Sequence, residues 1–476
     1  MSRAGVRSSG STCGKRPGEA DDRTVQSTKE TSAGTINRAI AMPTSLWAIA
    51  NKAREDKHHR FGGLARLLTK ENLKRCFSRL KKKAAPGVDR VTWQQYHRDL
   101  DKRTEDLEGR LKANRYRAKL VRRKYIPKPN GKRRPLGILV MDDKVLQRAG
   151  AEILNAIYEG DFLDCSYAYR TGRGVKDAVR EVTRSLQFGK HRWVVEADIK
   201  GFYDHIDHEK LMAMLQQRIN DGRLLRLIRK WLKAGVLEED GRVVDPVTGT
   251  PQGGIVSPVL ANVYLHHVLD QWFEQEIKPQ CRGEAMMNRY ADDFICAFRD
   301  KEQAQRFLKQ LGERLAEYGL ELATDKTRML RFSRFELEDN ESFDYLGFEY
   351  RWGRALNGKA VVKRRTSRKK LRASVANFTD WIKENRHQGI SWIMGRMAAK
   401  FRGYWNHYGV IGNQASQWEF YSKATRILYR WLNRRSQRQS YTWAGLTDLF
   451  KRYGVPEPRI TEVVTTKVAQ VCLWIP

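Results

Sequence analysis

The residues best suited to chemistry are two adjacent carboxylates, Asp292 and Asp293, in the stretch Met286–Phe298. Apolar runs flank them on both sides, which predicts a β-hairpin carrying the acids at its tip. Paired acids on a rigid tip suit Mg²⁺, a hard cation that takes oxygen ligands and few protein carboxylates. An ordinary acidic turn has the same composition, and a third acid separates the two readings. Trp193 to Tyr203 reads as a strand with Asp198 near its end. Phosphoryl transfer by two metal ions about 4 Å apart needs carboxylates that converge from separate elements. Asp198 and Asp292 meet that need. Asp204 and Asp207 read instead as the start of a helix, where the dipole favours acids.

The elements around these acids are legible in part. Ile126 to Gly137 contains Asn130-Gly131, a tight-turn signal, so Lys128, Lys132, Arg133 and Arg134 gather about a hairpin. Such cations either neutralise a bound triphosphate or sit solvated. Gly249 to Ser257 is a glycine-rich turn that lets a substrate approach the backbone, with Ser257 and Pro258 as cap and first residue of a helix. Gln252 in that turn can hydrogen-bond a sugar or base. Phe202 and Lys326 read from composition alone as a core ring and an exposed helix-end lysine. Around residues 120 to 350 helices alternate with short strands, an α+β pattern.

The whole chain points to a polyanion. It has 476 residues, with 90 Lys+Arg against 55 Asp+Glu and a net charge of +35. Phosphate backbones reward each cation that displaces counterions, and 13 Trp and 18 Tyr offer stacking surfaces. Six scattered cysteines form no CxxC pair, which excludes a zinc cluster or disulfide framework of the usual spacing. No apolar run reaches the ~18 residues of a membrane span, so a cytoplasmic protein is expected. Residues 351–476 carry 25 basic and 6 acidic side chains, a net +19, and read as mostly helical. The expected division is a flexible leader at 1–44, a mixed domain at 45–351, a helical basic domain at 352–440 and a short basic tail at 441–476.

The block order resembles one family. Tyr-Ala-Asp-Asp at 290–293 is similar to the signature of reverse transcriptases, in the form typical of group II intron-encoded proteins. Ala84–Asp89, Ile126–Gly137, Tyr169–Gly174, Gly249–Gly254, Gly319–Thr327 and Phe343–Phe348 resemble the neighbouring blocks in order and spacing. The resemblance spans roughly 45–460. It implies a right-hand polymerase, with fingers and palm followed by a helical thumb/maturase domain. It also implies that Asp198, Asp292 and Asp293 are catalytic and hold two Mg²⁺ ions, with the Ile199 carbonyl as a further ligand. Lys128, Arg134, Phe202, Gln252 and Lys326 would serve the dNTP: Phe202 as a ring against the sugar, Lys326 as a proton donor to pyrophosphate. Lys132, Arg133, Arg364, Arg365, Arg368, Lys369 and Lys370 would contact template, primer or intron RNA. Arg402, Tyr404, Trp405 and Tyr408 resemble the maturase core. Implied partners are the group II intron RNA, an RNA template with DNA primer, target DNA and dNTPs. With no CxxC pair before Pro476, no HNH endonuclease is expected. The rival expectations are an idle splicing cofactor, or a reverse transcriptase of a diversity-generating or phage-defence system.

Overall fold

The computed structural model describes residues 44–127, 131, 133–435 and 440–462. The expected leader therefore lies outside the described residues except for Thr44, as do Lys128 and Lys132. Four helices open the chain: α1 (Thr44–Glu55), α2 (Lys70–Ser78), α3 (Trp93–Arg98) and α4 (Leu100–Lys112). Two of them, α2 and α3, start on side-chain caps. Thr69 accepts from the Asn72 N–H, and Thr92 with Gln95 closes a capping box. Strands β1 (Val121–Pro127) and β2 (Arg133–Ile138) pair antiparallel, from Arg122 opposite Ile138 to Pro127 opposite Arg133. Helix α5 (Met141–Tyr158) follows, buried along most of its length in the main core.

The central sheet is built after α6 (Val175–Phe188). Its first strand is β3 (Trp193–Ala197), followed by α7 (His208–Arg218), α8 (Gly222–Leu232), the short strands β4 (Val236–Leu237) and β5 (Val243–Val244), and α9 (Ser257–Leu265). Then come β6 (Ala285–Tyr290), β7 (Asp293–Phe298), α10 (Lys301–Glu317) and β8 (Arg328–Arg331). The strand order is β6-β7-β3-β8, all antiparallel. Period-two alternation splits its side chains between two cores. Val195, Phe294, Cys296 and Phe298 join Phe307 and Leu311 of α10 in the main core. Val194, Ile295 and Ala297 join Val179, Val182 and Leu186 of α6 on the other face. Both faces are covered, which is why β3 and β7 are almost uniformly apolar.

Local expectations hold at α7, where Asp207 is the N-cap and accepts from the Lys210 N–H. At α9 the expectation is corrected: the helix begins at Ser257 itself. The Ser257 hydroxyl instead bridges the glycine-rich turn, accepting from Thr250 Oγ1 at 2.7 Å and donating to the Pro251 carbonyl at 3.1 Å.

The boundary expected at residue 352 falls inside a strand. β9 (Phe343–Tyr345), β10 (Phe348–Arg354) and β11 (Ala360–Thr366) form an antiparallel sheet ordered β11-β10-β9. Phe343, Phe348, Tyr350 and Trp352 bury against the α6 face, so this hairpin shares the core of the central sheet although its sequence is basic. The helical part starts later: α11 (Arg368–Asn385), α12 (Ile390–Tyr408), α13 (Gln414–Leu432) and α14 (Trp443–Arg452). Ile393, Met397, Phe401 and Trp405, spaced by four, place one face of α12 in the centre of this bundle. The expected tail is corrected as well. Leu446, Phe450 and Val455 pack in the bundle core, and Glu462 is buried, so 441–462 is part of the domain.

Candidate active site

Strand pairing brings the acids together. β3 and β7 are antiparallel neighbours with Ala197 opposite Phe294, so Asp198 and Asp293 leave the sheet at the same end. Tyr290 pairs with Asp293, which leaves Ala291 and Asp292 as a two-residue loop. Ala291 has φ +59°, at the loop position where a II′ hairpin usually has glycine. Beyond β3 the chain pairs with the segment after α10. The Ala323 N–H donates to the Asp198 carbonyl at 2.8 Å and the Lys200 N–H to the Glu321 carbonyl at 2.9 Å. These two bonds flank Ile199 and leave its own carbonyl out of that pairing, turned toward the β7 side.

The acids repel one another. Burial first, then the charge of Asp198, pushes the Asp292 carboxyl above its ordinary range. Asp293 is pushed up to about 6, by burial and then by Asp292 and Asp198. Lys326 forms an ion pair with Asp198, which holds the lysine above its ordinary value. Among the described residues no group of three or more His, Cys, Asp or Glu side chains stands ready to chelate an ion alone. The donor chemistry nevertheless fits Mg²⁺, which binds through one or two carboxylates and completes its octahedron with waters and substrate phosphates. Hard oxygen donors that raise one another's pKa are relieved by a cation, and Lys326 occupies Asp198 in that sense.

The substrate-side residues divide. Arg134 Nε donates to Gln252 Oε1 at 3.3 Å, and its charge reaches Asp292. Arg133 is exposed beside it on β2. The Gly137 N–H donates to the Gln252 carbonyl at 2.6 Å, tying β2 to the glycine-rich turn. Gly253 permits this: its φ is +116°, and a Cβ there would lie 2.5 Å from the Gly137 oxygen. Phe202 is corrected. It is 2% exposed and belongs to the core rather than lying open to a sugar; the aromatic beside Asp292 and Arg134 is Tyr203, hydrogen-bonded to Tyr169.

The basic and aromatic residues of the C-terminal part divide too. Arg368, Lys369 and Lys370 are exposed on the first turn of α11, and the charge of Lys370 reaches Asp293. Arg402 is exposed on α12. Arg364 is not a surface contact: it is 7% exposed and paired with Glu462 at 3.1 Å. Arg365 is engaged across the hairpin by Glu349 at 2.5 Å. Trp405 is 0% exposed and donates to the Pro456 carbonyl, and Tyr408 is buried against Phe348. Tyr404 stacks on Phe420 at 4.0 Å between centroids. These aromatics build the bundle because apolar rings at helical spacing bury first; Trp405 and Tyr408 present no open face to RNA, and Tyr404 is half-buried.

Sequence reasoning missed the support of the acidic turn. Arg289 and Asp270, both fully buried, form an ion pair beneath Ala291. An arginine next to an asparagine in a buried strand, one residue before the signature, is the signal that marks it. It also missed Glu462, whose carboxylate meets Arg364, Arg180 and the Ile411 N–H. Nothing local distinguishes that glutamate.

Carboxylates at one end of an antiparallel sheet, with a basic β-hairpin on one side and a helical bundle after it, fit a right-hand nucleic-acid polymerase. The profile described as reverse transcriptase (RNA-dependent DNA polymerase) matches residues 126–350. Over 365 residues the chain is 30% identical to Protein YkfC of Escherichia coli K12, covering 70% of this chain and 94% of that protein. It is 40% identical over 221 residues to the group II intron-encoded protein LtrA of Lactococcus lactis subsp. cremoris, 46% of this chain and 36% of LtrA. A 91 kDa protein in the cob intron of Schizosaccharomyces pombe is 43% identical over 164 residues, 34% of this chain and 20% of that one. The chain belongs to the reverse transcriptases, in the group II intron-encoded branch. It spans about a third of the length of LtrA. No helix among the described residues is long and apolar enough to cross a membrane.

Proposed function

We propose that this protein copies RNA into DNA, joining the α-phosphate of a dNTP to a primer 3′-OH, and that it binds a group II intron RNA to assist its splicing and mobility. The observation that carries the polymerase reading is the convergence of Asp198, Asp292 and Asp293 from two separate strand ends. Asp198 and Asp292 would hold two Mg²⁺, with Asp293 and the Ile199 carbonyl assisting. Bound there, the ions supply charge neutralisation at the reacting phosphate and a more acidic primer hydroxyl. Arg134 orients the triphosphate from the fingers, with Lys128 beside it in sequence, and Gln252 presents its amide to the sugar or base. Lys326 moves from Asp198 to the leaving pyrophosphate and donates a proton there. Arg133, Lys132, Arg368, Lys369, Lys370 and Arg402 contribute phosphate contacts, which give affinity rather than sequence choice. The splicing role is supported by the relatives encoded within introns.

Primer extension on an RNA template tests the reading, comparing wild type with Asp292→Ala/Asp293→Ala, each also assayed for splicing of the cognate intron. cDNA from wild type only, with splicing by both, is the expected result. Splicing without cDNA from wild type sinks the polymerase reading and leaves an RNA-folding cofactor.

A further inference from the structure

We propose that Arg289 is a positioning residue for the catalytic turn, aiming Asp292 by pinning the carbonyl of Ala291; the inference rests on the polymerase reading above. Every donor of the guanidinium is used. Nε donates to Asp270 Oδ1 at 2.6 Å, and Nη2 to Asp270 Oδ2 at 2.5 Å and to Ser166 Oγ at 2.8 Å. Nη1 donates to Asn262 Oδ1 at 3.1 Å and to the Ala291 carbonyl at 3.0 Å. Arg289 and Asp270 are 0% exposed.

Stability alone is a weak reason for this arrangement. Moving two charges out of water is costly, and apolar residues of similar volume often serve a core as well or better. What the arginine adds is a rigid planar fork with five donors of fixed direction. Four of the five are held by partners that are themselves fixed. Asn262 Nδ2 donates to the Ala168 carbonyl at 2.8 Å. The Arg289 backbone is clamped by the Cys165 carbonyl at 2.7 Å and the Tyr167 N–H at 3.0 Å. The fifth donor points at the strained loop.

That loop needs holding. Ala291 lies at φ +59°, a conformation unfavourable for a residue with a Cβ, so the surroundings must determine it. Its carbonyl belongs to the peptide plane that joins Ala291 to Asp292. Fixing that oxygen fixes the plane and therefore the direction in which the Asp292 side chain leaves the backbone. A displacement of 1 Å at a reacting group costs roughly 100-fold in rate.

The test uses the full-length protein on an RNA template annealed to a DNA primer. Two variants are compared with wild type: Arg289→Met combined with Asp270→Leu, and Arg289→Lys. The double variant removes both buried charges together; the lysine keeps a charge opposite Asp270 but not the fork. Melting temperature, template–primer affinity, single-turnover rate and half-saturating Mg²⁺ are measured for each. The expected result is at least one variant with near-native melting and unchanged template–primer affinity. Its single-turnover rate is roughly 10- to 100-fold lower, and its half-saturating Mg²⁺ is several-fold higher. A folded variant with native rate and native Mg²⁺ dependence overturns the proposal. So does failure of both variants to fold, since Arg289 would then serve stability alone. Absence of cDNA from wild type would instead defeat the polymerase reading, leaving the two failures distinguishable.

Discussion

Burial and neighbouring charges act together on the acids at the sheet end. Lys326 lies on Asp198, so a metal ion must displace an ammonium before it binds. Lys326→Met is therefore expected to lower the half-saturating Mg²⁺ several-fold. The maximal rate should fall by about 10²-fold or more if the lysine is the general acid. A Mg²⁺ titration of primer extension separates the two effects; an unchanged rate would remove the proton-donor role. The three acids stood out in sequence because carboxylates at strand ends have few structural reasons to be there, whereas Lys326, in a turn before β8, was singled out by the resemblance alone. Phe202, Trp405 and Tyr408 were misread because an aromatic serves a core and a binding face equally well, and burial alone tells them apart.

Among the elements, the segment after α13 matters more than its composition suggests. Val455 and two residues of α14, Leu446 and Phe450, complete the bundle core. Glu462 neutralises Arg364 of β11 and Arg180 of α6, and Lys176 donates to the Thr461 carbonyl at 3.0 Å. Ending the chain at 441 removes three buried apolar side chains, each contributing ~1.5–3 kcal/mol. It also strands a buried arginine, at about 3–5 kcal/mol. The total, on the order of 10 kcal/mol, is comparable with the stability of a whole domain. Such a truncation is expected to lose cooperative melting of the bundle by circular dichroism; a native melt would show 442–462 to be dispensable.

A second prediction at this scale concerns the helical turn after α9. His266 is buried, with its edge toward Phe162. Burial, and then the charges of His267, Arg289, Arg170 and Lys57, lower it to about 3. The nearby Asp270, 3.9 Å away, is committed to Arg289. Above pH 6.5 the ring is neutral whether folded or unfolded. Below that the unfolded chain binds a proton that the folded one refuses, so stability falls with pH until about 3. From pH 7 to pH 5 the loss from this group is about 2 kcal/mol. His266→Phe is expected to flatten that slope in urea melts at the two pH values, and an unchanged slope would refute it.

At the scale of the molecule, a charge of +35 makes RNA affinity steeply salt-dependent. Arg368, Lys369 and Lys370 are exposed together on the first turn of α11, and the charge of Lys370 reaches Asp293. Replacing all three with Ala is expected to reduce the slope of log affinity against log salt by about 2, at ~0.7 per phosphate contact on a single strand. Binding curves at several salt concentrations check this, and an unchanged slope would place the RNA elsewhere.

Block order and charge were enough to reach the family and the chemistry, because those features are local or additive along the chain. Folding was needed to learn which basic residues face solvent. Arg364 and Arg368 stand four positions apart in one basic run, yet one is buried against Glu462 and the other is exposed. The pairing of Arg289 with Asp270, and of Glu462 with Arg180, joins residues 19 and 282 positions apart. Arg289 announces itself in its strand, but the partner of such a charge has no local signature, since the energy that selects it appears only when distant elements exclude water together.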